Sequence, residues 1–508
     1  LGFVYRVVFL DSVPRALWED ELFNMLSIGN LAYNLHSVDG DFLPLFYGNI
    51  VGELRGQESL YLYLSIPSIL VFGFTQFGLR FSSVWVGTLS IFVAFLFVKR
   101  FFNYRVALFA VLFLAVSPWH IQFSRAGFRV ILVPLLVPFS FYLLKRGLDG
   151  EKKCIILSSL FFGLSLYTYT VVLVFLPLVL LSFLVIYRKS LLKFKRELLI
   201  SVLILSLFCV PIIFNSLSNP HVSATSVFSP NCEVLYPDTP DNKFVAVISN
   251  YLTFFSPDFL FFNGDVNERH SVRGVGMMHV FELPFFLIGL FFVLFKRSKS
   301  GFFVLFWLLL SVIPASFTCG PTNGSRCMPA LPVLSVFSGL GLFVLVGKLV
   351  VSVKGKRYDV SSLSQLFLVG IFIFSIFNLY SYSVEYFVDY PVYSELLWGV
   401  NHLQATNYLM SVYDDYDVFY NFMDVFLFYV SDNKSNFYYP NRLRGQDIPN
   451  SKFEYCSVLK CDYSRNHLLY VFDRSVYLIL QRYFDLSVKK EIRLSDGSVR
   501  GWLVVVNH

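Results

Sequence analysis

Charge is scarce in this sequence. Asp, Glu, Lys and Arg together make only 15% of its 508 residues, against 56% hydrophobic residues. With a mean hydropathy of +0.62, that balance excludes a string of soluble domains and requires a polytopic membrane protein. Cysteine is sparse too: the seven residues cannot all pair within the chain, and their spacing fits no zinc pattern. Cys154 and Cys209 fall in apolar runs as small buried hydrophobes. Cys319 with Cys327, and Cys456 with Cys461, fall where disulfides are permitted but not required. No internal repeat is visible, which sets the chain apart from the inverted-repeat architecture of many transporters. The opening LGFVYRVVFL is too short to span a bilayer and is expected to be the outer end of a truncated first helix.

Aromatic residues are abundant at 19%, with 59 Phe and 30 Tyr, as suits helices packed in lipid with rings at the interfaces. The net charge of +7 comes from short basic clusters between apolar runs. Topology accounts for these better than nucleic-acid binding does.

After residue 74 the apolar runs predict spans near 81–98, 106–116, 130–144, 155–169, 171–187, 198–214, 280–295, 301–317, 329–349 and 366–380. Residues 61–74, interrupted by Pro67 and Gly73, are expected to be interfacial or re-entrant. With Lys99 on the cytoplasmic side, alternate loops carry Lys145, Arg146, Lys152 and Lys153, then Arg188 to Arg196, then Lys296 to Lys299, then Lys354 to Arg357. All are basic, as the positive-inside rule asks. The opposite face receives an acidic loop over 11–80, the segment SPWHIQFSRAGFR, the long loop 215–278, TCGPTNGSRCM and the C-terminal tail.

The expected architecture is an α-helical polytopic membrane protein of about 11 spans, counting the truncated first, over residues 1–384. A small α/β domain over 385–508 follows it. The tail is predicted to hold a helix over 394–413 and β-like runs at 418–420, 468–472, 486–492 and 502–506. Asn433-Lys434-Ser435 has the pattern of a glycosylation sequon.

The most informative polar stretch is RALWEDELFNMLSIGNLAYNLHSVDGDFLPL, residues 15–45, with consecutive acids at Glu19, Asp20 and Glu21. Carboxylates where a membrane protein meets water are solvated charges, the acidic first turn of a helix, or the working groups of a site. As working groups, Asp20 or Glu21 would be a general base that deprotonates an acceptor hydroxyl. Arg125, Arg269 and Arg326 suit phosphate, since guanidinium is permanently charged and matches phosphate oxygens in a bidentate way. Against this, Arg125 and Arg129 are equally read as interfacial arginines that snorkel to headgroups, and His120 as a packed interfacial histidine. Asp265, Arg269 and His270 lie in a polar loop where charge is ordinary, though a loop this long argues for a function. Glu282, just inside a span, is the costlier acid to place.

The order WEDEL, DGDFLPLFY, ESLYLYLSIPSILVFG, GLRFSSVWVG and SPWHIQFSRAGFR resembles the bacterial and archaeal members of the protein mannosyltransferase family. That family belongs to the multispanning GT-C class of glycosyltransferases that use polyprenyl-phosphate sugars. Later blocks, through VEYFVDYPVYSELLWG, extend the similarity to about Gly399. The resemblance implies a hexosyltransferase at the outer face of the cell membrane, mannose being one candidate sugar. Its partners would be a polyprenyl-phosphate donor, a protein, lipid or glycan acceptor, and membrane lipids, with no nucleic acid. It matches the family's Asp-Glu pair to Asp20 and Glu21, the Asp being the base, and brings Arg125, Arg269, His270 and Arg326 to the donor phosphate. Where relatives carry a His before the matching Arg, this chain has Asn323-Gly324-Ser325. No cofactor is implied and the default is metal-independent, with a divalent metal left open. A transporter or flippase of a lipid-linked or anionic cargo is the alternative from the residues alone, and an anchoring subunit a third.

Overall fold

A computed structural model describes residues 2–37, 40–48, 55–218, 242–318, 320, 322–348, 352–353, 356–357, 362–411, 417–420, 453–455, 467–471, 477–478, 481 and 485–507. The sequon, Cys319, Cys456 and Cys461 lie outside them. The chain divides into two compact units: residues 1–8, 58–61 and 83–386 form the first, and residues 9–57, 62–82 and 387–508 the second.

The first unit is a helical bundle. Among the described residues, seven helical stretches are long and apolar enough to cross a membrane: 76–101, 129–148, 171–218, 243–262, 299–316, 328–346 and 369–393. Shorter apolar helices cover Leu60–Phe72, Tyr104–Val116 and Lys153–Ser165. The stretch 171–218 contains both spans expected there, Val171–Leu191 and Lys195–Ser218, joined by a 3-10 turn within the basic cluster. The helix Leu60–Phe72 has 13 residues, as do Tyr104–Val116 and Lys153–Ser165, a rise of about 20 Å each.

The loop expected over 215–278 is more ordered than its sequence implied. Its helix Lys243–Thr253 begins where Asn242 caps the amides of Phe244 and Val245. At 11 residues it rises only about 16 Å. With the helical turn Asp258–Phe262 that follows, it makes up the apolar stretch 243–262. Asn250 holds it in place by donating to the carbonyls of Ser316 (3.3 Å) and Thr318 (2.8 Å).

Aromatic rings fill the core of this unit. Phe141 packs on Phe162, Phe183, Phe303 and Trp307 with centroid separations of 4.8–5.5 Å, in the tilted and edge geometries that ring quadrupoles favour. The helices Leu283–Lys296 and Leu331–Lys348 meet without side chains between them. A Cβ at Gly289 would lie 1.9 Å from the Phe337 carbonyl oxygen, and one at Gly341 would lie 1.8 Å from that of Phe285. Only glycine permits such an approach.

The second unit holds a five-stranded sheet in the order Phe453–Tyr455, Asp417–Tyr420, His467–Val471, Val499–Asn507, Asp485–Arg493. The first three strands pair in parallel and the last two join antiparallel. Alternating apolar residues place four of these strands correctly from sequence; Phe453–Tyr455 is too short to announce itself. The tail helix is Val400–Ser411 rather than 394–413, because Gly399 takes φ +75°, a left-handed conformation that interrupts the helix ahead of it. Ala16, Val400 and Leu494 pack as one small core with Leu403, and Arg15 donates to Glu395 and, at 2.7 Å, to Ser495. Residues near the N-terminus and the tail thus belong to one packed unit.

Candidate active site

The acid-rich stretch is a helix, Glu19–Asn34, where a polar loop was expected. Glu19, Asp20 and Glu21 occupy its first turn, where negative charge opposes the positive end of the helix dipole. Glu21 also reaches back to accept from the backbone N–H of Trp18 at 3.3 Å. Its two oxygens take Arg80 Nε at 2.9 Å and Nη2 at 2.8 Å, a bidentate pair with both side chains 0% exposed. Arg80 spends its other donors on the carbonyls of Pro14 and Ala16, both at 2.7 Å, and stacks over Trp398 at 5.4 Å. Every part of this ion pair is engaged, and it locks the start of the helix. Asp20, the preceding residue, is exposed and its carboxylate has no partner among the described residues. Of the two acids, Glu21 is enclosed by Arg80 and Asp20 is exposed.

In the first unit a chain of polar contacts runs along loops distant in sequence. Glu58 pairs with Arg129 (3.2 Å) and accepts from Thr170 (2.8 Å). Arg129 lies over the Tyr169 ring at 5.4 Å, and the Tyr169 hydroxyl meets Ser325 at 3.2 Å. Asn323, Ser325 and Arg326 form a tight turn in which the Asn323 side chain accepts from both following amides. The Gly324 amide donates to Asp265. Asp265 also takes the Asn267 amide at 2.8 Å and His270 Nδ1 at 2.8 Å. His270 stacks on Phe123 at 5.4 Å, and Gln122 donates to the Arg269 carbonyl at 2.8 Å. Sequence positions 265, 269, 270 and 326 thus lie along one run of polar contacts, whereas Arg125 makes its contacts elsewhere. Arg129, Arg269, His270, Asn323, Ser325 and Arg326 are all partly exposed, so this face presents donors and positive charge to solvent.

Cys327 lies against the same turn as a free thiol that donates to the Asn323 carbonyl at 3.3 Å. Burial pushes its pKa well above the ordinary thiol value, and the charge of Asp265 adds to the effect.

Other sequence candidates serve the framework. Arg125 is 0% exposed, donates to the carbonyls of Tyr5 (2.9 Å) and Val8 (2.7 Å), and lies over the Tyr386 ring. It closes the end of the helix Gly2–Val7. His120, also 0% exposed, accepts from Arg6 at Nδ1, so Nε2 carries the proton and donates to Ser90 at 2.8 Å. Glu282 is buried at the start of Leu283–Lys296, accepting from the His279 amide and the Ser338 hydroxyl, each at 3.2 Å. Among the described residues no group of three or more His, Cys, Asp and Glu side chains is arranged to hold a metal ion.

Residues 60–214 match the family described as dolichyl-phosphate-mannose-protein mannosyltransferase. Over these residues, less than half of its length, the chain is similar to that family, and the match marks it as a membrane glycosyltransferase. No curated protein matches it by sequence. Among solved structures it is similar to ArnT from Cupriavidus metallidurans bound to undecaprenyl phosphate, at 13% identity and TM-score 0.60, over 100% of this chain and 96% of that one. It is also similar to the Archaeoglobus fulgidus oligosaccharyltransferase in its apo form, at 14% identity and TM-score 0.54, over 85% of this chain and 63% of that one. At such identities the likeness shows a shared fold.

Within this protein, sequence reasoning singled out Asp20, Glu21, Asp265, Arg269, His270 and Arg326 but passed over Glu58 and Arg80. A signal existed for both: each is a charge at or near the start of an apolar helix, where an unpaired ion is costly.

Proposed function

We propose that this protein transfers a hexose, with mannose the first to test, from a polyprenyl-phosphate donor to a hydroxyl of a protein acceptor at the extracytoplasmic face. The observation that carries the reading is the family match over residues 60–214. The fold is shared with an ArnT structure that holds undecaprenyl phosphate and with an archaeal oligosaccharyltransferase described in complex with an inhibitory peptide and a dolichol-phosphate. These support a lipid-linked donor. The basic loops assigned to the cytoplasm support the outward orientation.

In the proposed step the Asp20 carboxylate takes the acceptor proton as the acceptor oxygen attacks the anomeric carbon. The carbon–oxygen bond to phosphate breaks, and polyprenyl phosphate leaves with the electron pair, inverting the configuration. Arg269, His270 and Arg326 are assigned to the phosphate, where fixed positive charge and N–H donors offset the developing charge without reorganisation. Glu21, held by Arg80, aims the first turn that carries Asp20. No metal is required in this scheme, so transfer is expected to survive chelation by EDTA.

The test is release of radiolabelled sugar from a polyprenyl phosphate in the presence and absence of acceptor. Acceptor-dependent release by the native chain, lost in Asp20→Asn, is the expected result. Full activity in that variant removes Asp20 from the mechanism.

A further inference from the structure

A cavity of about 210 Å³ in the first unit, outside the polar chain of Glu58 to Arg326, is lined by the last two turns of the helix Ser362–Val384 and by residues 273–280. Three of its side chains carry acceptor oxygens with no partner among the described residues. Tyr382 is 2% exposed, yet among the described residues its hydroxyl has no partner, and neither does the Asn378 amide oxygen. The carboxylate of Glu385, half-buried, has none among the described residues.

His279 Nε2 donates to the Val116 carbonyl at 2.9 Å, which leaves Nδ1 as an acceptor, and Asn378 hydrogen-bonds to this histidine. The Asn378 amide oxygen is the atom without a hydrogen-bond partner among the described residues. Arg273 at the rim has its charge matched by Glu268, 2.8 Å from its Nε. The uncompensated charge of the cavity is that of Glu385.

Unsatisfied buried oxygens are costly, and two of them beside one half-buried carboxylate call for a cation with three donors. A primary ammonium offers three N–H groups and no acceptor. The same helix leaves Ile373, Phe377 and Tyr380 61–66% exposed at the i, i+4, i+7 spacing of one face. An acyl chain would lie along that face. We propose that this cavity binds the primary-amine headgroup of a membrane phospholipid, of the phosphatidylethanolamine class, with the ammonium held by Glu385, Tyr382 and Asn378.

The test uses the full chain in nanodiscs of defined composition, with bound lipid read by native mass spectrometry. Phosphatidylethanolamine should be retained at least about fivefold over phosphatidylcholine, whose trimethylated nitrogen has no N–H to donate. Glu385→Gln should abolish the preference. Tyr382→Phe, which removes one oxygen and keeps the ring, should weaken it without changing the melting temperature by more than about a few degrees. Equal retention of the two lipids, or a preference unchanged in Glu385→Gln, overturns the proposal. Displacement of the lipid by millimolar free ethanolamine as effectively as by added phosphatidylethanolamine would identify the occupant as a soluble amine and overturn the lipid assignment.

Discussion

Two sets of arginines behave differently within this protein. Arg6, Arg80 and Arg125 are 0% exposed and spend their donors on backbone carbonyls, a carboxylate, a histidine and a serine. Arg129, at the start of a 3-10 helix and paired with Glu58, and Arg269 and Arg326, on loops, are partly exposed. A guanidinium is a donor fork in either setting, but only the second kind can give donors to an incoming phosphate. Burial, more than residue type or position in a motif, separates a framework arginine from one that a ligand could reach. The acids divide in the same way, with Glu21 enclosed by Arg80 and Asp20 open.

This contrast can be broken experimentally. Asp20→Asn should lower transfer by about 10²-fold or more, the scale of general-base catalysis, with no change in the thermal melt. A melt shifted as far as the loss of activity implies would place Asp20 among the framework residues. Arg80→Met should do the reverse. It strands the Glu21 charge in a buried site, at a cost of about 3–5 kcal/mol, read as lost folded protein in a denaturation series. Arg269→Ala should cost about 1.5–3 kcal/mol of a charged hydrogen bond, appearing as a donor KM raised roughly tenfold or more. Arg125→Ala should lower stability and leave the KM of the surviving fold unchanged; a KM effect as large as that of Arg269→Ala would dissolve the distinction. The smallest effect sharpens the site's boundary: Cys327 should resist maleimide at neutral pH in the folded protein and react once denatured, since burial both hides its thiol and raises its pKa.

Much of the fold was legible because it rests on periodicity. Apolar runs broken by basic clusters marked the spans, and alternation over 486–492 and 502–506 marked two strands of the tail sheet. The acidic stretch was harder. Glu19, Asp20 and Glu21 signal a helix start as clearly as a catalytic loop, and the choice depended on Arg80, which is 59 residues from Glu21. Asp265 and His270 were visible as chemistry-bearing residues. Their partner was not, because it is the backbone amide of Gly324, and no side-chain pattern advertises an amide. The framework role of Arg125 was equally hidden, since its partners are carbonyls of the first helix.

The glycine contact between Leu283–Lys296 and Leu331–Lys348 reaches beyond packing. Each of these helices follows directly from one arm of the polar cluster, the segment with Asp265 and His270 in one case and the turn Asn323 to Arg326 in the other. The backbone seam at Gly289 and Gly341 therefore acts as a remote gauge, setting the gap between two loops in which neither glycine takes part. A single methyl added at Gly289 would be felt at the far mouth of the protein as a misplaced histidine, with every polar residue of the cluster still in the sequence.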